Sequence, residues 1–206
     1  MSTQPSASDD DEGITKISKN GDVILVVGLE KEKIQVASDF LEHISPVFKA
    51  MLNAPMKEGE ALRNRAHDSP VTIALPGDCP KAMKHVLRTL YGADDHFESD
   101  PSFQTVYDMV TLADKYGMAG RLKLFGANWL RIRTGDEDFH GYDGYWDKFV
   151  IACILDDDHA FFQISSILHN VHGEIIEWSL RLPDRELGMR LVYLRAQNAR
   201  LNKDYV

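Results

Sequence analysis

The chain has 206 residues, of which 44% are hydrophobic and 27% are charged, and its net charge is −9. This is an ordinary globular composition, and the length allows one domain with an extension or two small domains. The acidic surplus repels nucleic-acid phosphates and anionic lipid, so we expect no nucleic-acid and no membrane partner. The only cysteines, Cys79 and Cys153, form no CxxC pair, which excludes a disulfide framework and a four-ligand zinc module.

The first twelve residues are polar and acidic, and they predict a disordered acidic tail over 1–12. They lack the basic start and the apolar centre of a secretory signal. No uncharged run approaches the roughly 20 apolar residues that span a bilayer. Together with the two lone thiols, which suit a reducing compartment, these features lead us to expect a cytoplasmic or nuclear protein.

Strand patterns follow the tail. Residues 14–17 form a short patch with a period of two, and residues 23–27 form a β-branched run that is typical of a buried strand. Residues 33–36 alternate and lie close enough in sequence to pair with that run as a hairpin. A third strand is predicted over 71–75, before Pro76-Gly77.

Helical patterns separate and follow these strands. Ser45-Pro46 offers an N-cap hydroxyl followed by a proline at the first helical position. The stretch 55–68 is polar and predicts a loop. Asp78 is a candidate cap for the next helix, whose apolar stripe has helical spacing and comprises Met83, Val86, Leu87, Leu90 and Tyr91.

The second half of the chain predicts helices only. One helix opens after Asp100-Pro101 and stops at Gly117, and another covers about 118–133. Acidic residues and turn formers in the stretch 134–144 mark the predicted boundary between a domain at 13–134 and a helical C-terminal extension at 135–206. Three helices are predicted in the extension, over 145–155, 159–172 and 185–201.

The order of these elements resembles the BTB/POZ family, in a short form with a helical C-terminal extension of the fungal type. The Ser45-Pro46-Val47-Phe48 element and the later strand, proline, aspartate and helix ending in Leu-Tyr-Gly are the most specific parts of the match. The similar stretches cover about half of the chain: GDVILVVG at 21–28, the run at 34–52, MKEGEA at 56–61, and the runs at 71–92 and 106–118.

The resemblance implies an α+β fold in which a helical cluster is flanked by a small three-stranded sheet and followed by an all-helical extension. It also implies a protein-interaction module that is not an enzyme, has no catalytic residues, cofactor or metal, and homodimerises through its first helices. The residues that this assigns to a dimer interface are Phe40, Leu41, Val47 and Phe48. The same residues would be ordinary core in a monomer, and a two-fold interface needs a self-complementary patch.

Many members of this family recruit a cullin-type ubiquitin-ligase scaffold while another part of the chain holds a client protein. Met56-Lys57-Glu58 resembles the hydrophobic-x-Glu motif by which such members contact the scaffold. The resemblance implies that Met56 inserts into a shallow apolar site and that the Glu58 carboxylate bonds the partner. A helix-start methionine with a solvated glutamate is the alternative interpretation. A homotypic scaffold without cullin binding is the alternative function.

Two departures from the family pattern argue against a transcription-repressor role. The family commonly has a histidine where Ala37 stands and a basic residue where Ile44 stands. That basic residue forms a charged pocket with the aspartate matched here by Asp22. We expect no cation opposite Asp22, and the simpler interpretation is that this side chain caps or orients the turn before a strand.

A metal-dependent hydrolase in the C-terminal region is a further alternative. His169 and His172 are three residues apart, and an acidic run at 156–158 precedes them. No HExxH motif or second Cys/His cluster accompanies them, so a solvated helix face explains them better. The sequence also contains no GxSxG element and no phosphate-binding GxxxxGK[ST] loop.

Overall fold

The computed structural model describes residues 13–65, 69–92, 102–131, 136–168, 174–182 and 185–201. The chain divides into two compact units, Met1–Phe97 and Glu98–Val206. The predicted acidic tail, His169 and His172 lie outside the described residues. The predicted domain ranges 13–134 and 135–206 stay a prediction.

The first unit contains one mixed sheet with the strand order β1-β3-β2-β4. β2 and β3 form the predicted antiparallel hairpin, whereas β1 runs parallel to β3 and β4 runs parallel to β2. The predicted α+β class is confirmed, but the sheet has four strands instead of three because the short patch at the start of the chain also pairs. The strands are β1 (Ile14–Lys16), β2 (Val23–Val27), β3 (Glu32–Val36) and β4 (Val71–Leu75).

The apolar pattern of β2 explains its central position. Val23, Leu25 and Val27 are fully buried, and the alternate residues Ile24 and Val26 are half-buried. A strand that is apolar on both faces is favoured in the interior of a sheet, where neighbouring elements cover both faces. β4 instead alternates buried and exposed residues, which fits one buried face and one open face.

Four helices complete the first unit: α1 (Ser38–Ile44), α2 (Pro46–Asn53), α3 (Lys57–Arg63) and α4 (Pro80–Tyr91). The predicted start of α2 is confirmed, since the buried Ser45 hydroxyl accepts a hydrogen bond of 3.0 Å from the Phe48 N–H and Pro46 is the first helical residue. α4 begins one residue later than predicted. Its N-cap is Cys79, without a side-chain hydrogen bond, so the prediction that Asp78 is the cap was wrong.

The helix α3 lies in the stretch 55–68 that was predicted to be a loop. That prediction was wrong because the segment is polar but contains good helix formers, with Glu58 and Glu60 in the first turn and Arg63 in the last. Both placements favour the helix dipole. The central Gly59 masks this pattern in the sequence.

The regular elements in the described residues of the second unit are all helices. Its helices are α5 (Phe103–Lys115), α6 (Lys123–Trp129), α7 (Asp136–Ile154), α8 (Asp158–Ile167), α9 (Glu174–Arg181) and α10 (Arg185–Leu201), with a 3-10 turn at Ala119–Leu122 before α6. The predicted extension therefore has four helices rather than three. α7 begins inside the predicted boundary stretch. α9 was missed because it is only two turns long.

Aromatic packing forms part of the core of the second unit. Trp146 and Trp178 are buried, with ring centroids 6.1 Å apart, and Phe149 stacks on Phe161 at 4.5 Å. These contacts join α7 to α8 and α9. In the described part of the chain, none of the helices is both long enough and apolar enough to cross a bilayer.

Candidate protein-interaction surface

The predicted docking pair lies at the start of α3. Met56 is the N-cap residue of this helix, and 52% of its surface is exposed. Glu58 is half-buried in the first turn, two residues later. The structure therefore places an apolar side chain and a carboxylate at one helix end, with the methionine open to a partner. Their role in docking stays a prediction.

Gly59 fixes this helix end against α2. A Cβ atom at position 59 would lie 2.5 Å from the Leu52 carbonyl oxygen and 2.6 Å from the Ala54 carbonyl oxygen. Both atoms belong to the backbone, so they cannot move aside as a flexible side chain would. The close approach sets the position of the first turn of α3 and, with it, the position of Met56.

The four residues predicted for a dimer interface divide into two groups. Leu41 and Phe48 are fully buried and belong to the core of their own chain, which corrects their assignment to a surface. They occupy the inner faces of two short amphipathic helices, where apolar residues at helical spacing are buried first. Phe40 is half-buried and Val47 is 38% exposed, so these two residues form the part open to a second chain.

Tyr91 extends this open face, and sequence reasoning missed it as a surface residue. Its ring meets Phe40 edge-to-face, with centroids 5.0 Å apart and planes at 89°. The sequence placed Tyr91 on the buried stripe of α4, yet it is exposed at the last helical position before Gly92. The sequence feature that indicates exposure is the position of Tyr91 at the C-terminal end of α4, directly before the helix-ending Gly92.

Asp22 has both a structural role and a cation beside it. Its carboxylate accepts hydrogen bonds from the Ser38 N–H at 2.7 Å and from the Ser38 hydroxyl at 2.8 Å, which ties the start of β2 to the start of α1. The Arg65 guanidinium lies 3.3 Å from the same carboxylate. The expectation that no cation faces Asp22 was therefore wrong, because the cation comes from Arg65 and not from the position of Ile44.

Among the described residues, no three His, Cys, Asp or Glu side chains are grouped so as to hold a metal ion. Burial raises the pKa of the Cys153 thiol, which keeps it protonated and weakly nucleophilic. Exposed apolar side chains beside charged ones, as in this surface, are typical of protein–protein contacts.

The family of the chain follows from a comparison with protein-family models. The model of the BTB/POZ domain matches residues 15–125, which is more than half of the chain. The chain belongs to the BTB/POZ family. The BTB match runs from β1 into α6, and the mixed sheet with its helical cluster is consistent with that fold.

Family membership fixes the function at a general level. BTB domains are generally protein-interaction modules rather than enzymes, and they commonly homodimerise and bind partner proteins. Helices α7 to α10 of this BTB protein lie beyond the matched residues. No curated protein matches the chain.

Proposed function

We propose that this protein homodimerises and acts as an adaptor for a cullin-type ubiquitin ligase, with Met56 and Glu58 as the contact to the cullin scaffold. The observation that supports the adaptor role is the half-exposed Met56 at a helix start whose position Gly59 fixes. The helical C-terminal region would then hold the client protein. We place this activity in the cytoplasm or nucleus.

The proposed contact has a simple energetic basis. Burying a whole methionine side chain contributes about 1.5–3 kcal/mol, so covering the exposed half of Met56 contributes about 1 kcal/mol. The Glu58 carboxylate adds a charge-assisted hydrogen bond to a backbone N–H or a basic group of the partner. An apolar anchor beside a charged rim supplies both contact energy and register.

Two substitutions test the cullin contact. Met56→Glu or Glu58→Lys in the full chain should abolish co-purification of a cullin and leave the dimer intact, as judged by mass in solution. Leu29→Glu is a matched control, since Leu29 is an almost fully exposed residue in the β2–β3 turn of the same unit. Unchanged co-purification with both docking variants would reject this assignment.

The proposed dimer interface comprises Val47 and the Phe40–Tyr91 pair of the same unit. A two-fold interface brings the same patch together twice, so one charge added to each chain places two like charges in it. Val47→Glu should therefore yield single chains in solution. Val47 is 38% exposed, so the added carboxylate can reach solvent in a single chain.

A homotypic scaffold that does not bind a cullin is the second candidate. The Phe40–Tyr91 pair, in which Phe40 is half-buried and Tyr91 is exposed, favours it, because self-association through this pair does not require Met56. The pull-down described above separates the two functions. A wild-type chain that dimerises but retains no cullin would support the scaffold.

A further inference from the structure

A groove of about 630 Å³ lies between α6 and α8 in the second unit. Leu130 lies buried within it, Ile167 is half-buried, and Phe162 is exposed over 53% of its surface. Grooves of this size and of mainly apolar character are typical binding sites. The remaining lining residues are Ala127, Arg131, Asp157, His159, Ala160, Gln163 and Ser166.

The ionisable side chains that line the groove differ in whether they have a hydrogen-bond or ion-pair partner. The Asp157 carboxylate caps α8, since its Oδ1 accepts a hydrogen bond of 3.0 Å from the Ala160 N–H. Arg131 and His159 have no hydrogen-bond or ion-pair partner within the described ranges of the chain. In a chain with a net charge of −9, the groove thus presents an unpaired arginine and a histidine to an incoming ligand.

We propose that this groove binds a short peptide segment of a partner protein in which an aromatic or aliphatic side chain lies next to a carboxylate. The apolar side chain packs against Phe162 and Leu130, and the carboxylate pairs with Arg131. A guanidinium and a carboxylate form a strong, directional pair, which selects acidic segments. The inference rests on the proposed function, because the peptide belongs to the client of the adaptor.

The shape of the apolar surface favours a peptide over a compact small molecule. Leu124, one turn before Ala127 on α6, is almost fully exposed and shares a helix face with it. The apolar strip therefore continues beyond the groove itself. Extended or helical peptides use such strips by placing successive side chains along them.

Selection from a random peptide library on the immobilised full chain tests this proposal. Enriched peptides should combine Asp or Glu with an aromatic or aliphatic residue. By fluorescence anisotropy, Phe162→Ser and Arg131→Ala should each weaken the best peptide about tenfold. The matched controls are Met189→Ser, at a position 58% exposed on α10, and Arg185→Ala, and they should leave the affinity unchanged.

Two results would overturn the inference. The first is the absence of any enriched peptide, and retention of decanoate, a small amphiphilic carboxylate, by such a chain would identify the groove as a small-molecule site. The second is an affinity that Phe162→Ser and Arg131→Ala leave unchanged. Met56→Glu should leave peptide affinity unchanged, so failure of the cullin contact and failure of the groove are distinguishable.

Discussion

Replacing Gly59 with alanine should destabilise the first unit and move the start of α3. The new methyl group would lie 2.5 and 2.6 Å from two backbone oxygens of the α2 segment, which is closer than carbon and oxygen atoms approach without displacement. Overpacking of this kind costs about 1–3 kcal/mol. Alanine recovers about 1 kcal/mol through its higher helix propensity. Because the opposing atoms are backbone, the overpacking cost falls in the upper part of this range, at about 2–3 kcal/mol, which leaves a net loss of about 1–2 kcal/mol.

The free energy of unfolding from urea denaturation, followed by circular dichroism, measures this loss. The matched control is Gly77→Ala, since a Cβ at Gly77 meets nothing within 4 Å and the backbone there is not left-handed. The control should change stability by less than about 0.5 kcal/mol. A Gly59→Ala chain that is as stable as the control, or more stable, would refute the steric account of how Met56 is positioned.

Three further predictions concern the polar contacts of the fold. Ser45→Ala removes the buried cap of α2 and should cost about 0.5–2 kcal/mol in the free energy of unfolding. Asp22→Ala breaks two hydrogen bonds to α1 and should lower the free energy of unfolding by about 1–3 kcal/mol. Arg65→Ala removes only a part-exposed ion pair and should lower it by about 0–1 kcal/mol. Equal losses of stability in the two variants would contradict this ranking. The hydrogen bond from Lys123 lowers the pKa of the exposed Asp156, so Lys123→Met should raise that pKa towards its ordinary value in an NMR titration, and the carboxylate should then protonate at a higher pH.

Elements with a strong local signal could be predicted from the sequence. The five-residue apolar run of β2 and the Ser45-Pro46 helix start depend on neighbouring residues alone, and both are confirmed. α3 and α9 could not be assigned in the same way. The first is polar and interrupted by Gly59, and the second is only two turns long, so packing against neighbouring helices decides their structure.

The exposure of the candidate surface residues could be predicted only in part, and their binding role stays a prediction. The family resemblance located Met56 and Val47, and both are exposed. The resemblance could not distinguish these exposed residues from the buried Phe48. Helical spacing alone does not indicate which residues of a narrow apolar stripe are buried by neighbouring elements. The Arg65 cation beside Asp22 was missed because the two residues are 43 positions apart and meet only through the fold.

Sedimentation equilibrium of the full chain, wild type beside Val47→Glu, tests most directly whether this protein works by binding other protein chains through its exposed apolar face. The account predicts twice the mass of one chain for the wild type and the mass of a single chain for the variant. A wild-type chain that sediments as a single chain over the whole concentration range, or a variant that sediments as the wild type does, would contradict it.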